Sequence, residues 1–234
     1  MQLTPEDILY DDKDIIVCRK RPGIATQTSR LGEPDMLSIL KNYLKSSYIG
    51  LVHRLDQPVE GILDFGKTKE AAAELSIQNM GDAMSKKYYA VVMPEEMIKA
   101  EAVLVDFLVK NGRENTSRVA DKGVKDARRS ELSYKVVKTL QQEDGRRTAL
   151  VRVQLKTGRH HQIRVQMANA GMPLLGDGKY GSEKSKCLSS DMGIKNVALC
   201  AYNLEFVHPK TGKKMSLMIE PSEKAFRMFL PINA

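Results

Sequence analysis

Three segments of this chain place reactive side chains at spacings that invite a chemical reading. His53 to Thr68 runs HRLDQPVEGILDFGKT, with Arg54 and Asp56 two residues apart ahead of an apolar run. Taken alone, such an Arg-x-Asp reads as a surface ion pair at a strand end, which contributes little. Lys86 to Val92, KKYYAVV, carries Tyr88 and Tyr89, which alone read as strand aromatics with one ring in the core. Thr157 to Gly181, TGRHHQIRVQMANAGMPLLGDGKYG, sets Arg159 and Arg164 around the adjacent His160 and His161 at the mouth of a helix. A Gly176-Asp177 turn follows.

Several chemistries lack the residues they need. Adjacent histidines on a helix diverge by about 100°, so His160 and His161 converge poorly on one ion, and no HExxH spacing occurs. His53 and His208 have no cysteine or carboxylate companions at ligand spacing, so no metal is expected. There is no GxSxG for a serine triad. Neither GxGxxG nor GxxxxGK[ST] is present, and no nucleotide cofactor is expected.

The surrounding pattern tells which elements must position these segments. Ile8 to Tyr10 and Ile15 to Cys18, separated by the acidic turn DDKD, predict a hairpin. Asp35 can cap a helix with Leu37, Leu40, Tyr43 and Leu44 at helical spacing, and Thr68 can cap another that Gly81 ends. Gly61 to Gly66 reads as a buried strand carrying one acidic residue, Asp64. From Tyr88 onward the period shifts to two: Tyr88 to Val92, Leu132 to Val136, Ala149 to Leu155, Ala198 to Phe206 and Met215 to Ile219. A short helix with Ile163, Met167 and Ala170 on one side stops at Gly171. The Lys-, Ser- and Gly-rich stretch 178–196 reads as a mobile loop. The fold class predicted is α+β, a single domain over residues 1–234 on a mixed, largely antiparallel sheet with flanking helices and loops.

Composition bounds the partners. With 234 residues, 42% hydrophobic and 28% charged, the chain can bury a core of ordinary globular type. No window supplies the roughly 18 apolar residues of a membrane-spanning helix, and no membrane partner is expected. The acidic start MQLTPEDILYDDKD fits neither a secretory nor a transit peptide. Three cysteines, an odd count without a CxxC pair, argue against a disulfide framework and for a cytoplasmic setting. Lys and Arg total 37 against 29 Asp and Glu, a net charge of +8. That excess suits a polyanionic partner such as nucleic acid, and equally a solvated lysine-rich surface.

In order and spacing, the three segments together resemble the RluA-type family of RNA pseudouridine synthases. His53-Arg54-Leu55-Asp56, Gly61, Phe65 and Lys67-Thr68 match the family's HRLDxxTSGLLLFAKT. Lys86, Tyr88, Ala90 and Val92 match KxYxAxV. Thr157-Gly158-Arg159, His161 to Val165, Gly171, Pro173, Leu175-Gly176-Asp177 and Tyr180-Gly181 match TGRTHQIRVHLAxxGxPILGDxxYG. With the opening and closing strands, the likeness runs from about Ile8 to Pro221. The chain departs at Val59-Glu60 (Thr-Ser in the family), His160 (Thr), Gln166 (His) and Arg21, where a proline is usual.

The resemblance implies an isomerase that turns a uridine within RNA into its C-glycoside isomer, without a cofactor. Asp56 would be the essential carboxylate, attacking the sugar or the uracil or abstracting a ribose proton; these routes stay open. Arg164 matches the family's partner for that carboxylate, and a cation is needed to keep a partly buried Asp ionised. Tyr88 would lie against the uracil and assist proton removal at carbon 5. Arg54 would enter the space vacated by the flipped base. His53, Arg159 and His161 are further RNA-contact candidates, and Lys179, Lys184 and Lys186 are candidates for phosphate contact. A monomer is expected, without the separate N-terminal RNA-binding module of some members, acting on a ribosomal or transfer RNA stem-loop. The alternative is a catalytically inactive RNA-binding or chaperone module on the same fold.

Overall fold

The computed structural model describes residues 3–28, 32–81, 83–142 and 145–232. In chain order the elements are β1 (Ile8–Asp11), β2 (Ile15–Lys20), α1 (Met36–Leu44), β3 (Gly50–Leu51), β4 (Glu60–Gly66), α2 (Lys69–Met80) and β5 (Ser85–Val92). There follow β6 (Glu101–Asn111), β7 (Thr116–Ala120), β8 (Arg128–Gln141), β9 (Arg147–Leu155), α3 (Gln162–Asn169), α4 (Glu183–Asp191), β10 (Leu199–Val207) and β11 (Lys214–Met218). The predicted α+β class holds. Within each of two compact units the described pairings are antiparallel, except that β4 and β10 run parallel.

The first unit comprises Met1–Lys86 with Cys200–Pro221. Its strands lie in the order β1-β2-β4-β10-β11, with β3 beside the end of β4. The predicted β1–β2 hairpin forms because Asp12 Oδ1 accepts from the backbone N–H of Asp14 and Ile15, closing the acidic turn. All seven residues of β4 are buried, and Ile15, Val17, Ile62, Leu75, Leu204 and Phe206 build one core cluster. Gly61 is required: at φ +149 a side chain there would meet the Ala201 backbone nitrogen at 2.7 Å, where β10 crosses. Both predicted caps are present, Asp35 accepting from Ser38 N at 2.7 Å and Thr68 from Ala71 N at 3.1 Å. Each is worth about 1 kcal/mol.

The second unit comprises Lys87–Leu199 with Ser222–Ala234, and its strands lie in the order β5-β9-β8-β6-β7. Tyr88 pairs with Val153 and Tyr89 with Arg152 in the β5–β9 ladder. Both rings are buried, at 6% and 4% exposure, rather than the single one expected, because both faces of β5 are covered. The β6–β7 hairpin was not legible in the sequence: apolar residues fall on both faces of Glu101–Asn111 and obscure the period of two.

The stretch 178–196 departs from the expected loop by forming α4. Ser182 caps it, accepting from Ser185 N, and Leu188 is buried. Ser185 and Ser189 are buried as well, and Ser189 Oγ accepts from Gly176 N at 2.9 Å. Serines that look like loop residues are here the small face that lets a helix approach backbone closely. Among the described residues no helix is long and apolar enough to cross a membrane.

Candidate active site

The first unit carries His53, Arg54 and Asp56 on the segment between β3 and β4. Its alternate residues are pinned. His53, 8% exposed, places Nε2 2.7 Å from Oδ1 of the fully buried Asp64 on β4. Leu55 is held through its backbone, its N–H donating to Thr26 Oγ1 at 3.1 Å and its carbonyl accepting from the same hydroxyl at 2.8 Å. The Gln57 carbonyl accepts from Gly23 N at 2.8 Å and from Lys20 Nζ at 3.0 Å. Arg54 is left exposed, donating to Gln27 Oε1 at 3.1 Å, and Asp56 is half-buried. The turn closes with Val59 N donating to the Asp56 carbonyl at 3.0 Å.

Lys20 is a component that the sequence motifs did not single out. Its side chain is fully buried, and Nζ donates to the carbonyls of Arg21, Ile24 and Gln57. Burial pushes the ammonium down to about 7, against the opposing pull of Asp56 and Glu60. The departures from the family pattern are also accommodated here. Glu60, fully buried, pairs with Arg19 Nη2 at 3.0 Å, and Arg21 pairs with Asp7 Oδ1 at 3.0 Å. Lys86, matched in the family's second motif, donates to Asn79 Oδ1; burial lowers its pKa, partly offset by Asp64.

The second unit carries Tyr88, Arg159, His161 and Arg164. Arg164 lies on α3 at 4% exposure and makes a two-pronged pair with Asp177, Nε to Oδ2 at 2.7 Å and Nη2 to Oδ1 at 2.8 Å. The guanidinium also sits 5.0 Å over the Tyr180 ring. Asp177 Oδ1 further accepts from the backbone N–H of Lys179 and Tyr180. Gly176 allows this turn: it sits at φ +72, where a side chain would collide with the Asn196 carbonyl. Asp177 is thus a positioning residue for Arg164; the Gly-Asp motif was visible in the sequence, but its target was not.

The histidines differ from the helical divergence expected of neighbours. His161 is the N-cap of α3 at φ +54, and this left-handed residue lets its ring stack on His160 at 3.7 Å. His161 Nδ1 lies 2.7 Å from Tyr180 Oη, and His161 is 8% exposed. Arg159 is exposed, with Nε donating to the Arg129 carbonyl at 3.3 Å. Gln166, where the family has His, is fully buried and ties α3 to β6 through Asp106 Oδ2 at 2.7 Å. Among the described residues no three His, Cys, Asp or Glu side chains gather as metal ligands.

The chain is similar to known proteins in sequence and in fold. A family model described as RNA pseudouridylate synthase matches residues 14–169. The ribosomal large subunit pseudouridine synthase C of Buchnera aphidicola is 30% identical over 232 residues, covering 96% of this chain and 69% of that protein. The synthase C of Vibrio vulnificus is 30% identical over 213 residues, and the chain spans only 64% of its length. The dual-specificity RNA pseudouridine synthase RluA of Vibrio parahaemolyticus is 30% identical over 233 residues, covering 96% of this chain and 89% of that protein. The human RNA pseudouridylate synthase domain containing 1 shares the fold, with a TM-score of 0.75 over 94% of this chain and 86% of that one, at 19% identity. On the family match and on relatives aligned along nearly the whole sequence, this chain belongs to the RNA pseudouridylate synthase family.

Proposed function

We propose that this chain isomerises specific uridines in a ribosomal or transfer RNA stem-loop to pseudouridine, as one catalytic domain, with Asp56 as its essential carboxylate. The observation that carries this is the pinned segment His53–Gln57. Anchoring residues 53, 55 and 57 through Asp64, Thr26 and Lys20 fixes the stretch of backbone that carries Arg54 and Asp56. Isomerisation of this kind breaks the N-glycosidic bond, turns the uracil and joins carbon 5 to the ribose. Every atom of the substrate is retained except the carbon-5 proton, which exchanges with solvent.

The roles follow from side-chain chemistry. Asp56 acts on the ribose or the base in its ionised form, and Arg164 supplies positive charge that favours ionisation. Tyr88 provides an aromatic face for the uracil and a hydroxyl for the carbon-5 proton. A stacked uridine is out of reach, so it is flipped at a cost of a few kcal/mol, and the planar guanidinium of Arg54 fills the gap. Among the relatives, two are named for the ribosomal large subunit and one for dual specificity, which supports an RNA substrate that includes ribosomal RNA among its candidates. The work is carried out in the cytoplasm by a monomer.

Mapping pseudouridines across total RNA from cells with and without this gene tests the proposal. Loss of signal at defined uridines, restored by the wild-type chain and not by Asp56→Ala, is the expected result. Retention of every site would refute it. A wild-type chain that binds RNA and yields no pseudouridine in any fraction would instead support the inactive RNA-binding module.

A further inference from the structure

The core of the first unit holds charge that the proposed reaction does not use. Asp64 on β4 is fully buried. It shares a strand face with Ile62 and pairs in register with Val17, both members of the apolar cluster that includes Leu75 and Met84. Two groups able to carry positive charge answer it. His53 Nε2 lies 2.7 Å from Oδ1, and the Asp64 charge favours the ammonium of Lys86 on β5 against the effect of burial. Neither Asp64 oxygen completes an aligned hydrogen bond among the described residues. Asp177, by comparison, accepts from Arg164 twice and from the backbone N–H of Lys179 and Tyr180. The Asp64 carboxylate is therefore held by charge rather than by a set of donors.

The same groups close a circuit beneath the segment that carries Asp56. Lys86 Nζ donates to Asn79 Oδ1 on α2, and Asn79 Nδ2 donates to the Val52 carbonyl at 3.4 Å. Val52 precedes His53, whose ring meets Asp64, and the Asp64 charge acts back on Lys86. Every member lies within the first unit. Stability alone does not call for this arrangement, because replacing a buried ion pair by apolar side chains of similar size is often neutral or stabilising. What charge adds is direction: it holds an imidazole in one orientation where apolar packing would tolerate several.

We propose that Asp64, Lys86 and Asn79 are positioning residues, whose circuit sets the ring of His53 and the course of the chain at Val52–His53, and through them the placement of Asp56. The effect on turnover rests on the synthase reading, while the link from Lys86 to His53 is measurable in the protein alone. Small displacements of a reacting group cost rate without costing affinity, so the signature is a loss in kcat. The loss is bounded, since Leu55 and Gln57 keep their own backbone ties to Thr26 and Lys20.

The test uses the full chain and total RNA from cells lacking the gene, labelled with tritium at carbon 5 of uridine. Asp64→Leu with Lys86→Met removes both charges together, and its urea midpoint should be no lower than that of wild type. Its kcat should fall about tenfold, with KM and Kd for RNA within about twofold of wild type. Asp64→Asn in the same Lys86→Met background restores an oxygen facing His53 and should recover about threefold of that loss. Asn79→Ala opens the circuit at a half-buried residue, should the double variant fold poorly, and should lower kcat about threefold on its own. Added to the double variant it should change little, as for members of one network. Nitrogen NMR of the histidine-labelled chain without RNA reads the link directly: with the His53 ring assigned from His53→Gln, Lys86→Met should shift its signals. Unshifted His53 signals, or wild-type kcat in the folded double variant or in Asn79→Ala, would overturn the proposal. A loss confined to KM and Kd would overturn it as well, by showing RNA contact instead of positioning. A wild-type chain that makes no pseudouridine would defeat the synthase reading alone, because the His53 signals still decide the circuit.

Discussion

The Asp56 segment and the Arg164 nest hold their functional groups by opposite means. Around Asp56 the ties run mostly to backbone: Thr26 grips both polar groups of Leu55, and Lys20 gathers three carbonyls. The carboxylate itself is left half-buried. Around Arg164 the ties run to the functional group, with two charge-assisted bonds from Asp177 and a ring face from Tyr180, at 4% exposure. Fixing through the main chain suits the proposed role of Asp56, a group that meets substrate. Fixing through its own atoms suits the proposed role of Arg164, a buried source of charge.

The comparison breaks most visibly at Asp56. Asp56→Ala should lower pseudouridine formation by about a thousandfold or more while RNA binding survives, since Leu55 and Gln57 are tied through their own backbone groups. Release of tritium from uridine labelled at carbon 5 measures it, and substantial residual turnover would remove Asp56 from the reaction.

Removing the anchor of the nest should act on stability instead. Asp177→Ala leaves a buried guanidinium without its carboxylate and should destabilise the second unit by about 3–5 kcal/mol in urea unfolding. Pairing it with Arg164→Met should recover part of that stability and none of the activity, because the uncompensated charge is gone with the functional group. A fully stable single variant would show that the nest does not depend on the pair.

A milder perturbation tests the backbone ties. Thr26→Val keeps the shape and strands the N–H and C=O of Leu55, at a cost of about 1–3 kcal/mol. If Asp56 is positioned through that strand of contacts, kcat should fall about tenfold with Kd for RNA little changed. Equal kcat in the two proteins would mean that Lys20 and Gly23 suffice.

The smallest effect should come from the clasp at the β1–β2 turn. Asp12 accepts from Ile15 N and Asp14 N, from Tyr10 Oη and from His208 Nε2 at 2.8 Å. Burial alone would raise its pKa, but these donors hold it down at about 2, below the ordinary 3.8. A lowered carboxylate contributes stability that is complete above about pH 3.8 and disappears as pH falls through 2. Asp12→Ala should therefore cost about 1 kcal/mol at neutral pH, and its difference from wild type should vanish near pH 2. A gap that widened on acidification would reverse the assigned sign.

The elements that a local rule can predict were legible before any coordinates. Thr68 and Asp35 cap their helices, Gly81 ends α2, and the DDKD turn closes the first hairpin, because each depends on residues within a few positions. The motif residues were legible too, since their types and order are written in the chain. What the sequence could not show is which distant group each would meet. The Arg164–Asp177 pair spans 13 positions, the Thr26–Leu55 tie 29, and the His160–Ser117 contact 43. Asp64 read as one acidic residue in a buried strand and proved to face His53; Ser185 and Ser189 read as loop and proved to be the close-packed face of α4. Local propensity depends on neighbours in sequence, whereas burial and partner choice depend on neighbours in space. For that reason the sequence determined the elements and the reactive groups, and only the tertiary structure decided how Asp56 and Arg164 are held.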